Sequence, residues 1–185
     1  IKIFNESFLN MESIIKFNAI QSGVDGVLID LGISSLQLNS TEKGFSFRKN
    51  SPLDMRFDSN DKITADHIVN NYSFKNLHNI LEMFGEEKSA KNIAKNIIDS
   101  RPIKTTLQLS QVIIRVKGKN KNRLLHPATK TFQALRIAVN KELERLPQVL
   151  NSATKILRSG GRIVVISYHS LEDRIVKHFI SHETS

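Results

Sequence analysis

The stretch Gly23-Val24-Asp25-Gly26-Val27-Leu28-Ile29-Asp30-Leu31-Gly32 decides the fold. Gly23 and Gly26 interrupt the helix-like residues before them, and Val27, Leu28 and Ile29 form a short continuous apolar run. Such a run, bounded by turn residues, suits a strand buried on both faces of a parallel sheet. Residues 160–167, Gly-Gly-Arg-Ile-Val-Val-Ile-Ser, repeat the pattern. Gly160 and Gly161 are expected to stop a helix, and Arg162–Ser167 to form a second strand.

The residues between these strands read mostly as helices. Ser73 can cap a helix with Leu77, Ile80, Leu81 and Phe84 on one face. Ala90, Ile93, Ala94, Ile97 and Ile98 make a second stripe, and Leu109, Val112, Ile113 and Val116 a third. Pro102 separates the last two. Pro147 is expected either to kink the helix running towards Leu157 or to sit in the first turn of a new one. A helix leading straight into the second strand is what a βαβ crossover requires. The fold class is therefore α/β, a parallel sheet carrying a helical insertion. Two strands make no stable open sheet alone, so further strands are expected.

The chain has 185 residues, 39% hydrophobic and 24% charged, enough to bury a core. It holds no cysteine, which excludes disulfides and thiolate metal sites and suits a reducing cytoplasm. No apolar run approaches the roughly 20 residues of a membrane helix, and the opening residues do not read as a secretory leader. We expect no metal and no membrane partner. The formal charge of +9 would attract a phosphate backbone. A coding bias that enriches lysine, asparagine and isoleucine would give the same balance, so charge alone fits either account.

Ligands of open α/β sheets bind beyond the carboxyl ends of the strands. The first strand ends in DLGISSLQL (30–38), which offers Asp30, Ser34, Ser35 and Gln37. The second ends in SYHSLEDR (167–174), which offers His169, Ser170, Glu172 and Asp173. Neighbouring strands would bring these two loops to one pocket; a lone aspartate there can equally cap a helix. GFSFRKNSPLDMRFD (44–58) interleaves Phe45, Phe47, Met55 and Phe57 with Arg48, Lys49 and Arg56, a composition for stacking bases or for packing a surface loop. HPATKTFQALRI (126–137) carries His126, Lys130, Gln133 and Arg136 along a helix. RVKGKNKNR (115–123) holds Arg115, Lys117, Lys119, Lys121 and Arg123 without an acid and reads as a loop, phosphate-tracking or merely solvated. FGEEKSAKNIA (84–94) is expected to start a helix with Glu86 and Glu87 in its first turn, a structural role.

Taken together, DLGISSLQL, GFSFRKNSPLDMRFD, GEEKSAKNIA, HPATKTFQALRI with Asn140, Glu142 and Leu143 after it, and GGRIVVISYHSLEDRIVKHF resemble, in order and spacing from about residue 3 to 180, the ribosomal RNA small subunit methyltransferase H family. These are bacterial 16S rRNA cytosine-N4 methyltransferases, also called MraW. The resemblance implies a Rossmann-like class I S-adenosylmethionine-dependent methyltransferase fold, with residues 1–40 and 135–185 forming its two parts. It implies an inserted helical substrate-recognition domain over 41–134. It also implies S-adenosyl-L-methionine as methyl donor, contacted by Phe8, Asp30 and Gln37, and 16S rRNA of the small ribosomal subunit as cytoplasmic partner. Oligomeric state stays open.

The exocyclic amine of cytosine is a poor nucleophile, so it must be aligned, hydrogen-bonded and shielded from water, with the base out of its stack. Asp30 and the Ser34-Ser35 turn stand where amino-methyltransferases keep the residues that face the amine; whether Asp30 meets the amine or only the cofactor stays open. His169 is a second candidate for that pocket. The candidate RNA contacts are Ser34, Ser35, Arg48, Arg56, Lys117, Lys119, Lys121, His126, Lys130 and Arg136. The family's glycine-rich cofactor loop and ribose-gripping acid would precede Ile1, and the eight glycines here form no G-x-G. Leu36, Ser89 and Lys130 stand where the family usually has proline, an aromatic and arginine. A competing expectation is therefore a truncated or split-gene product that keeps an RNA-facing surface without binding cofactor. A basic RNA-binding module without methylation ancestry is a third, which the motif set disfavours.

Overall fold

A computed structural model of the chain describes residues 1–18, 23–118 and 125–183. A short 3-10 turn at Phe8–Asn10 leads into α1 (Met11–Phe17) and β1 (Val24–Asp30). Then come α2 (Ser35–Asn39), α3 (Ala65–Asn71), α4 (Phe74–Met83), α5 (Ala90–Asp99), α6 (Thr106–Lys117) and α7 (Thr129–Asn140). The chain closes with α8 (Glu142–Ile156), β2 (Leu157–Ile166) and α9 (Ser170–Glu183). The elements form two compact units, residues 1–32 with 142–185, and residues 33–141.

In the first unit β1 and β2 are parallel neighbours, paired from Gly26 opposite Arg162 to Asp30 opposite Ile166. Side chains alternate across a strand. Val27, Ile29, Leu31, Ile163 and Val165 therefore share one face, which packs on Leu146, Val149, Leu150 and Ala153 of α8 and on Ile175, Val176 and Phe179 of α9. On the other face Leu28, Val164 and Ile166 are 66%, 51% and 41% exposed. The architecture is mixed α/β with a small parallel sheet, the class the sequence leads one to expect.

Two expected boundaries move. Gly160 and Gly161 do not stop a helix: α8 ends at Ile156 and β2 already pairs at Leu157, opposite Val24. Between Val24 and Gly26 the partner strand advances from Leu157 to Arg162, so the glycines belong to a bulge. Gly160 takes φ +80°, and a Cβ on Gly161 would lie 3.0 Å from Arg158 O and 3.1 Å from Asp25 O. Pro147 lies inside α8 rather than in its first turn; that helix starts at Glu142, after Lys141, which is left-handed with φ 53°.

The second unit is helical, and its stripes are those the spacing predicts. Leu77 and Leu81 of α4, Ile93, Ala94 and Ile97 of α5, Leu109 and Ile113 of α6, and Ala134 and Leu135 of α7 are fully buried in one core. Ser73 Oγ caps α4 by accepting from Asn76 N at 3.3 Å, and Thr105 with Gln108 forms a capping box on α6. α5 begins at Ala90, later than expected. Glu86 and Glu87 precede it, and Glu87 supports it by accepting from Ser89 N at 3.1 Å.

The 44–58 loop is anchored by its apolar residues. Phe45 and Met55 are buried, and Phe57 lies 5.7 Å from Phe45, ring to ring. Asn140, 1% exposed, fastens the same loop: its Oδ1 accepts from Phe57 N and its Nδ2 donates to Met55 O, each at 2.8 Å. Among the described residues no helix is long and apolar enough to cross a membrane, and no group of three or more His, Asp or Glu is placed to hold a metal.

Candidate active site

Parallel pairing fixes the carboxyl edge of the first unit. Leu31 N donates to Ile166 O at 3.1 Å, so β1 delivers Asp30 to the edge where β2 runs on into Ser167, Tyr168 and His169. Residues 164, 166 and 168 share a face by the period of two, and the register puts that face on the side of Leu28 and Asp30. Tyr168, 65% exposed, donates from its phenol to Asp30 Oδ1 at 2.9 Å. That bond, with the carboxylate's charge beside it, raises the phenol's pKa above its usual 10, so at neutral pH the group is a donor.

His169 has a different task. It precedes the first residue of α9, and its Nδ1 accepts from Glu172 N at 3.4 Å, so the proton of the neutral ring sits on Nε2. That nitrogen lies 3.3 Å from Glu172 Oε1. Glu172, 2% exposed, also reaches back to accept from Tyr168 N at 2.9 Å. Together the two side chains satisfy helix-start amides as a capping box does. The imidazole is 9% exposed and turned into its own helix. Its Nε2 is buried without a hydrogen-bond partner, and it is Glu172 that holds the Tyr168 backbone.

Phe8, the remaining candidate in this unit, is half exposed in its 3-10 turn. The other candidates belong to the second unit. Ser34 Oγ caps α2 by accepting from Gln37 N at 3.2 Å, while Gln37 Oε1 accepts from Ser34 N at 3.0 Å. Ser35 begins that helix and is exposed. Gln37, read as a cofactor contact, thus spends its carbonyl oxygen on a capping box.

Two cations read as RNA contacts are tied into the protein. Arg56 grips Asp54 through Nε and Nη2 at 2.8 and 2.7 Å, and braces the carbonyls of Ser59 and Asp61 at 2.7 Å each. This holds the Asp54 carboxyl below its usual pKa of 3.8. Lys117 was expected in a loop and instead ends α6; its ammonium meets Glu87 at 2.6 Å, with side chains 13% and 3% exposed. Lys119 and Lys121 lie outside the described residues. Lys130 Nζ donates to Glu86 O at 2.9 Å, Arg136 is half-buried on α7, and Arg48 is exposed. His126 stacks on Phe47, with centroids 4.3 Å apart and planes 10° apart.

Two residues that organise the structure stand inside the quoted motifs without being singled out as candidates. Tyr168 had a signal, the period of two carried one step past the strand. Asn140 closes the motif that begins at His126, but nothing local announces a side chain that clasps a loop far away in sequence.

Comparison with known proteins agrees with this architecture. The profile of the MraW methylase family matches residues 1–185. The chain is 50% identical over 183 residues to the ribosomal RNA small subunit methyltransferase H of Halothermothrix orenii, covering 96% of this chain and 58% of that protein. It is 47% identical to the protein of that name from Dehalococcoides mccartyi, covering 98% and 51%. It is 46% identical to that from Caldicellulosiruptor saccharolyticus, covering 100% and 60%. The chain thus spans a little over half the length of these relatives. With a parallel sheet whose edge carries Asp30, a helical second unit, and a family profile matched end to end, the chain belongs to the MraW methylase family.

Proposed function

We propose that this chain acts in transferring a methyl group from S-adenosylmethionine to the exocyclic N4 amine of a cytidine in the decoding region of small-subunit 16S rRNA. The observation that supports this reading is the Asp30 carboxylate at the carboxyl edge of the parallel pair, with Oδ1 held by Tyr168. An amine made poor by its conjugation with the ring needs a fixed acceptor for its N–H, and a carboxylate steadied on one oxygen keeps the other for that purpose.

Asp30 and Phe8 give the first unit an acceptor and an exposed aromatic suited to a purine nucleoside carrying a cationic sulfur. When bound, S-adenosylmethionine supplies a methyl group activated on a sulfonium. Asp30 orients the amine, Tyr168 orients Asp30, and the His169–Glu172 cap holds Tyr168 in place. The test is methylation of small subunits that lack the modification, using the complete gene product that carries this chain. N4-methylcytidine at a single position supports the reading; methyl on another atom, or none, counts against it.

One observation favours a second reading, in which these 185 residues alone keep an RNA-binding surface without cofactor or activity. The Leu28-Val164-Ile166 face is open, whereas parallel sheets are ordinarily covered on both sides. Calorimetric titration with S-adenosylmethionine separates the two. Micromolar binding by this chain alone sinks the second reading.

A further inference from the structure

Phe47 and His126 are the only stacked aromatic pair among the described residues whose rings approach within 5 Å, and the stack is built in from several sides. Phe132, 4% exposed on α7, sets an edge against Phe47, with centroids 5.4 Å apart and planes at 82°. Phe47 in turn covers one face of the imidazole. Ala128 N donates to His126 Nδ1 at 3.2 Å, which fixes the ring's rotation and leaves the proton on Nε2. His126 is exposed despite these contacts, and Phe47 takes one face of its ring. Burial, and then the charge of Arg48, lower its pKa below 6.5, so the ring is neutral at pH 7. The result is a flat, neutral, pre-oriented aromatic surface with an exposed guanidinium beside it.

We propose that the face of the exposed His126 ring turned away from Phe47 is a stacking site for an unpaired nucleobase of the RNA, with Arg48 on an adjoining phosphate. The identity of the ligand rests on the RNA-methyltransferase reading. The chemistry is that of single-strand recognition, in which a base lies on an aromatic face and a cation follows the backbone. A ring already immobilised by Phe47 and Ala128 loses little freedom when a base settles on it. Sequence preference at this site is weak, since every base offers a π face. The site therefore holds a nucleotide without choosing among bases.

Fluorescence anisotropy of the full chain with single-stranded RNA across a range of salt concentrations tests this. His126→Asn keeps an acceptor for Ala128 N but removes the ring; it weakens binding roughly five- to 150-fold with the salt slope unchanged, the range alanine substitution gives for one stacked base. His126→Phe keeps the stack and binds within about threefold of the unsubstituted chain. Arg48→Ala lowers the salt slope by about one. In the unsubstituted chain, addition of RNA moves the His126 Hε1 resonance upfield as a base covers the ring.

Undiminished binding by His126→Asn, a loss in His126→Phe as large as in His126→Asn, an unmoved resonance, or no RNA binding at all overturns the proposal. RNA binding through His126 without cytidine methylation by the complete gene product overturns the enzymatic reading instead, so the two failures are distinguishable.

Discussion

Tyr168 holds Asp30: a phenol from the end of one strand donates to a carboxylate from the end of its parallel neighbour, 2.9 Å apart. Removing the hydroxyl leaves both strands intact and frees the carboxylate to rotate. Tyr168→Phe in the complete gene product is therefore expected to lower kcat roughly ten- to a hundredfold, the cost of a misplaced reacting partner, with a smaller change in KM for RNA. Equal losses in both, or none, would mean that the phenol does not position the acid.

The Lys117–Glu87 pair is a matter of stability. Truncating one partner of a buried pair strands the other, so Lys117→Ala should destabilise the chain by about 3 kcal/mol. Its salt slope for RNA should stay as it was. Chemical denaturation with anisotropy measures both, and a flattened slope in a fully stable variant would return Lys117 to the RNA surface.

Asn140 is expected to matter as much as a large core residue. Asn140→Ala leaves Phe57 N and Met55 O without their partner inside the helical unit, a cost of roughly 2–4 kcal/mol. A denaturation midpoint unchanged by the substitution would show that water replaces the amide.

His126 should titrate below 6.5 in a proton NMR series, and Arg48→Ala should raise that midpoint without restoring it fully, because burial is the larger cause. Since the unfolded chain binds this proton more readily, the contribution to stability is complete above pH 6.5 and falls as pH drops through the folded midpoint. A midpoint at or above 6.5 contradicts the packed, neutral stack.

Asp54 gives a separate acid window. Arg56 depresses its pKa below 3.8, so the stability it contributes is present above that value and disappears as pH falls through the lower folded pKa. Asp54→Asn should cost roughly 1 kcal/mol at pH 7, a small figure because solvent reaches the pair, and nothing in strong acid. A difference that persists at the lowest pH would assign the loss to packing.

Much of the fold was legible because burial writes a period. The stripes at Leu77, Ile93 and Leu109 and the run Val27–Ile29 announce helices and strand in one dimension. Gly160 and Gly161 misled because glycine stops helices and also permits bulges, and only the partner strand's register distinguishes the two. Asp30 could be placed because a strand's end is a local property. The fates of Arg56 and Lys117 could not, since a cation on the surface and one clasping Asp54 or Glu87 look alike in one dimension. The aromatics of 44–58 turned out divided: Phe45 entered the core, and Phe47 became the back of a stack.

Asp30 bears the central claim, and mass spectrometry of small-subunit RNA methylated by the complete gene product measures it most directly. The unsubstituted protein should form N4-methylcytidine at one decoding-region position, and a folded Asp30→Asn variant should fall by at least about a hundredfold while still binding RNA. Full methylation by Asp30→Asn, or a methyl group found on a ring carbon or a ribose oxygen, contradicts the account.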